Sequence, residues 1–286
     1  MGEDPRPLPP DYGLREPLTP ADAYEQGREL ALQERRRLGL GGAPLPDMAE
    51  VLSGQGVWAA SAALQDTVSG LSLFHSRIGA AIVVNRIHGR SRRRFSYAHE
   101  YAHVLADRKT RTVAVSSSSN ARELIERRAN SFASEFLMPA TGVAEFLTRM
   151  DKGGPSRVTM GFFDSASGEG EQVEKRNLPG SQEIGFHDVA FLADRFRVSY
   201  DAAAYRLGDL GKVNRERLRA LLDQREDGRI NDFRDGDPPF LENYLLWLAR
   251  EAYRREVISV GRFRDVCALV GLNVEEEYAR VQKHFD

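Results

Sequence analysis

Between Arg92 and Asp107 the chain carries Phe95, Ala98, Ala102 and Leu105 at helical spacing, with His99, Glu100 and His103 set among them. A helix with such an apolar stripe packs against other elements, which argues against a solvated surface helix whose two histidines do nothing. Positions four apart share a face, so His99 and His103 can present their imidazoles to one ion, and Glu100 sits one step round. His-Glu-x-x-His therefore assigns three jobs: two neutral nitrogen ligands and a general base. Zinc held this way lowers the pKa of its water toward about 7, and the glutamate takes the proton as a carbonyl is attacked. By chance the pentad turns up in about one such chain in a hundred, so the next helix along the chain has to supply the rest of the signal.

Two histidines do not complete a catalytic zinc site, which takes three protein ligands and keeps one position open. A second helix, expected over about 121–137, carries Leu124, Ala129, Phe132, Ala133 and Phe136 on one face and offers Glu123 and Glu126. Glu126 and Asn130 are four apart: the first can reach the metal, the second can support a ligand by accepting from a histidine N–H. The plain alternative for Glu126 is an exposed carboxylate paired with an arginine. Coupling to the histidine pair favours ligation.

The rest of the chain frames this unit. Six of the 13 prolines fall in the first twenty residues, so 1–18 is read as a disordered, extended tail. Thr19 is the expected N-cap, with Pro20 opening a helix that runs to about Leu38 and stops at Gly39-Leu40-Gly41-Gly42. Three strand-like segments come next at 57–64, 71–75 and 80–85, suggesting a small antiparallel sheet. The catalytic domain is expected over 19–150 and a linker or insertion over 151–183, with a short strand near 158–163. A helical subdomain over 184–224 and a C-terminal helical module over 238–286 complete the chain. The fold class is α+β: a small sheet, the His-Glu-x-x-His helix, a ligand helix and a helical C-terminal region.

The order and spacing of Arg94-Phe95-Ser96-Tyr97-Ala98-His99-Glu100-Tyr101-Ala102-His103 and of Glu126-x-x-Ala129-Asn130-x-Phe132-Ala133-x-Glu135-Phe136-Leu137-Met138-Pro139 resemble those of the ImmA/IrrE family of zinc metallopeptidases. A strand ending in Asn85 shortly before Arg94 fits the same pattern. The likeness covers about 57–139, and more weakly 186–211. It implies that His99, His103 and Glu126 hold a zinc ion, with manganese as the other metal suited to these donors, that Glu100 is the base, and that Asn130 supports a ligand. Ala102 departs from the glycine common in the family, and the 151–183 segment is one that members often lack. Members characterised as peptidases cut helix-turn-helix repressors in mobile-element or stress regulation; others are toxin-like partners in gene pairs. The resemblance thus implies a cytoplasmic metalloendopeptidase acting on a repressor or antitoxin. The alternative is a non-catalytic zinc-containing regulator or toxin component that binds such a partner; an intact Glu100 argues for the enzyme, because a structural site needs no base.

Phe191–Ser199 followed by Ala202–Leu207 has the shape of a helix-turn-helix, turning at Val198-Ser199. Tyr200, Asp201, Tyr205 and Arg206 of its second helix offer one positive charge against one negative, where phosphate contacts need several cations. The overall balance of 40 basic and 42 acidic residues adds no pull toward nucleic acid. Packing scaffold is the better reading, and direct DNA binding is disfavoured. A second such turn is expected at Gly271-Leu272-Asn273, ahead of Glu275-Glu276-Glu277. Cys267 reads as core, and His187 as a surface or cap residue before an oxyanion stabiliser. His75, His88 and His284 show no partner pattern. No apolar run is long enough for a membrane span and no signal peptide is visible at the start.

Overall fold

The computed structural model describes residues 8–76, 79–154, 157–163, 170–176, 182–226, 249, 252–253 and 255–269. They divide into two compact units, the second of which begins at Met138 and takes in the Leu40–Pro44 loop.

The first unit is organised around two packed helix pairs and a sheet. Helix α1 (Pro20–Arg37) starts as the sequence predicts, with the Thr19 hydroxyl accepting from the Asp22 amide. A short helix α2 (Met48–Gly54) comes next, capped by Asp47. Strands β1 (Trp58–Ala62), β2 (Val68–His75) and β3 (Gly79–Asn85) lead into α3 (Arg90–Ala106), then β4 (Val113–Ser117) and α4 (Leu124–Leu137). Helix α3 packs on β2 and β3 and beside α4, and α4 in turn lies along α1. That last contact is close: a Cβ on Gly27 would sit 2.3 Å from the Arg128 carbonyl oxygen. Tyr101 joins all three helices, donating to Glu34 Oε1 at 2.6 Å while its ring lies 6.1 Å from Phe132 and 6.0 Å from Phe136.

The α+β class holds, but the sheet, ordered β1-β3-β2-β4, is mixed where an antiparallel one was expected. Strand β2 runs antiparallel to β3 and β4, whereas β1 is parallel to β3. The connection over 63–67 crosses the end of β3, so β2 joins the sheet on the far side of it. Asn85, fully buried at that end, holds the crossing: its Oδ1 accepts from Leu64 N, and its Nδ2 donates to Gln65 O and Val68 O. Strand β4 replaces part of an expected polar loop. Its alternation is inverted, with Ala114 and Ser116 buried while Val113 and Val115 stay 60% and 45% exposed.

The proline-rich start also departs from expectation. From residue 8 it is irregular but held: Tyr12 N donates to Leu105 O at 2.8 Å, Arg108 donates to Pro9 O at 2.8 Å, and Arg128 donates to Arg15 O at 3.1 Å. Prolines dictate a backbone without internal ladder bonds, and the carbonyls left over become acceptors for the half-buried Arg108 and the buried Arg128.

In the second unit, α5 (Ala140–Arg149) is followed by an antiparallel hairpin, β5 (Arg157–Phe163) and β6 (Gly170–Arg176), inside the segment read as linker or insertion. Helices α6 (Phe186–Phe196), α7 (Tyr200–Asp209) and α8 (Arg215–Glu226) complete it. Arg197 adopts the left-handed conformation (φ 55°) and Ser199 caps α7, so a short turn joins the two helices. Arg206, the one cation among the four residues offered by the second helix, is buried and donates to Met138 O at 2.9 Å.

Near the C-terminus, Phe263 and Cys267 of α9 (Val260–Leu269) are buried with Ala249, and Tyr253 stacks on Phe263. The second expected turn at 271–273, Glu275 to Glu277 and His284 lie outside the described residues. Among the described residues, no helix is long and apolar enough to cross a membrane.

Candidate active site

Helix α3 puts His99 and His103 on one face and α4 brings Glu126 up to them, as the spacing requires. His99 Nε2 lies 3.0 Å from Glu126 Oε2 and 3.3 Å from His103 Nε2, which is 3.6 Å from Glu126 Oε1. One ligand atom from each residue falls within 4.8 Å of the others, and all three residues are buried.

The far sides of the rings are fixed. His99 Nδ1 donates to Asn130 Oδ1 at 2.9 Å, and His103 Nδ1 donates to Asp107 Oδ2 at 2.8 Å. With both Nδ1 hydrogens committed, a neutral ring presents Nε2 as a lone pair. Two such lone pairs 3.3 Å apart beside a carboxylate repel unless a proton or a cation lies among them. The donor set of two imidazoles and one carboxylate fits a divalent ion such as zinc.

Electrostatics follow from the same contacts. Burial opposes the charge of Glu126, yet the imidazoles of His103 and His99 prevail and hold its pKa down at about 2. Burial likewise opposes protonation of His103; hydrogen bonds to Asp107 and Glu126 outweigh it and push the pKa up to about 9. Asp107 resists desolvation through His103 and Arg128, which hold its carboxyl below the usual range.

Glu100 is different. It is fully buried, and among the described residues neither carboxylate oxygen has a hydrogen-bond partner in good geometry, although the Ser116 and Ser72 hydroxyls lie near enough to act on it. Desolvation pushes its pKa up, against the pull of His103 and His99 and of the Ser116 and Ser72 hydroxyls from β4 and β2. The sheet leaves room for it at Gly70: a Cβ there would meet Glu100 Oε1 at 3.0 Å and Glu100 Cγ at 3.1 Å. A buried carboxylate with raised pKa beside a metal-ligand cluster has the properties of a general base.

The five residues singled out from sequence, His99, Glu100, His103, Glu126 and Asn130, are thus together. Glu123 is apart from them, exposed and 3.9 Å from Arg111. His187 is exposed at the start of α6 in the second unit, and His88 lies against the Asp66 carbonyl at 3.4 Å. Asp107, Arg128 and Gly70 were not anticipated. Asp107 had a signal: it stands four residues after His103, the same spacing that pairs the histidines. Gly70 had none, since close approach to Glu100 is a tertiary fact.

A helix-borne His-Glu-x-x-His whose imidazoles meet a carboxylate from a neighbouring helix is the arrangement of the metallopeptidase class. Residues 53–155 match the family model of the IrrE N-terminal-like domain, Peptidase_M78, and the match supports membership of the ImmA/IrrE family. The match supports a metallopeptidase-type function. No curated protein matches the chain.

Proposed function

We propose that the protein is a zinc-dependent endopeptidase, with manganese as the other metal its donors suit, and that its substrate is a helix-turn-helix repressor or an antitoxin. One observation carries the enzymatic part: the fully buried carboxylate of Glu100 stands one residue from His99, beside donors that converge with Glu126. His99, His103 and Glu126 are the metal ligands in this reading. A divalent ion held by these residues would supply Lewis-acid polarisation of a peptide carbonyl and would lower the pKa of water. Glu100 accepts the proton of the attacking water and delivers it to the leaving amide nitrogen. Asn130 holds the His99 imidazole in the tautomer that leaves its Nε2 available.

The substrate class rests on the family resemblance of the two-helix motif. The helix-turn-helix of α6 and α7 is assigned to packing, since Arg206 is spent on the Met138 carbonyl. Regulated cleavage in mobile-element or stress control, or as part of a toxin–antitoxin pair, is the role this reading implies.

Comparison of protein N-termini in cells expressing the wild type and Glu100→Gln tests the proposal. New N-termini within a DNA-binding repressor or antitoxin, present only with the wild type, are expected. Identical sets of N-termini would contradict it.

A further inference from the structure

Behind the His103 imidazole runs a hydrogen-bonded chain through Asp107 and Arg128 whose far end lies outside the peptidase-like segment. Asp107 is the C-cap of α3, its amide bonded to His103 O at 2.8 Å, and its own carbonyl accepts from Arg111 N at 2.8 Å and Thr110 N at 2.9 Å. This fixes the backbone from which its carboxylate reaches back one turn. Oδ2 accepts from His103 Nδ1 at 2.8 Å; Oδ1 accepts from Arg128 Nη2. Arg128 is only 1% exposed, and its Nη1 is held in turn by Arg15 O at 3.1 Å and Gln26 Oε1 at 3.2 Å. Both anchors lie N-terminal to β1, one on the proline-rich segment and one on α1.

We infer that Asp107 is the positioning residue for His103, that Arg128 holds Asp107 in place, and that the segment through Arg15 and Gln26 is thereby a working part of the metal centre. A histidine ligand is oriented by what its second nitrogen touches, and a carboxylate there fixes both ring rotation and tautomer. A carboxylate buried this deeply needs a cation of its own, and Arg128 supplies it without competing for the imidazole. The Arg128 guanidinium has a fixed fork, so its position depends on the acceptors at its other end. A change at Gln26 therefore reaches His103 through three hydrogen bonds, by way of Arg128 and Asp107, although α1 contributes no ligand.

The inference rests on the metal-site reading, and the test separates the two. The full-length protein is titrated with Co²⁺, reading the visible absorption bands that report coordination geometry and the affinity by chelator competition. Wild type is compared with Asp107→Asn, Asp107→Ala and Gln26→Ala, each checked for folding by circular dichroism in chelator. Asp107→Asn is near-isosteric, so it guards against a variant that fails to fold.

Asp107→Ala and Asp107→Asn are expected to bind Co²⁺ about 10–100-fold more weakly with altered bands, and Gln26→Ala to change in the same direction with a smaller loss. Folded Asp107 variants with wild-type affinity and bands would overturn the inference and leave the site reading intact. A Gln26→Ala protein indistinguishable from wild type would remove the N-terminal segment from the metal centre. Failure of the folded wild type to take up Co²⁺ would overturn the site reading itself.

Discussion

An ion entering the three-donor centre has to displace the proton that His103 carries. The Asp107 and Glu126 carboxylates push that imidazole up to about 9, against burial and from an ordinary value near about 6.5. Glu126, held at about 2, stays ionised across the same range and adds no slope of its own. Proton and metal compete for His103, so apparent metal affinity rises about tenfold per pH unit below about 9 and levels off above it. Between pH 7 and pH 9 the gain is about 50-fold, or about 2.3 kcal/mol at about 1.4 kcal/mol per decade, because His103 is half deprotonated at pH 9. The same proton acts on the metal-free fold in the opposite sense. Because the folded pKa is raised, its contribution is full below about 6.5 and is lost as pH rises through about 9. Competition of chelator-treated protein against a chromophoric chelator, corrected for the chelator's own titration, measures the slope. Calorimetry in two buffers of different protonation enthalpy counts the released proton, about one per ion at pH 7. Equal affinity at pH 7 and pH 9, with no proton released, would refute the assignment of that proton to His103.

Further outcomes follow from local geometry. Gly70→Ala places a methyl 3.0 Å from Glu100 Oε1 and 3.2 Å from Val83 O, so peptidase activity should fall sharply for about 1–3 kcal/mol of stability; unchanged turnover would mean Glu100 has room to spare. Asn85→Ala leaves the backbone groups of Leu64, Gln65 and Val68 without their partner at a half-buried corner, and should cost about 2 kcal/mol by denaturant unfolding. A loss below about 1 kcal/mol would show that the crossing after β1 holds without it.

The site was legible because the features that build it are helical and local. His99 and His103, and Glu126 and Asn130, are each four apart, and an apolar stripe on each helix says which face is covered. What stayed hidden is what helices do not encode along their own length. Strand β4 was missed because it buries alanine and serine and exposes two valines, so β-branched residues mark the wrong face. The parallel pairing of β1 with β3 goes with Asn85 anchoring a loop 17 to 21 residues earlier in the chain, which no local period records. Proline content correctly denied regular structure to the start of the chain but carried no information on whether its carbonyls would be used. They are, by Arg108 and Arg128, and only the tertiary contacts disclose it.

The central claim is that two imidazoles from α3 and one carboxylate from α4 hold an ion beside a carboxylate that does not. Elemental analysis of purified wild type, Glu126→Ala and Glu100→Gln tests it directly. The account predicts about one zinc per wild-type chain, lost in Glu126→Ala and retained in Glu100→Gln. A folded wild type that holds no metal after zinc is supplied, or a Glu126→Ala protein that keeps it, would contradict the account.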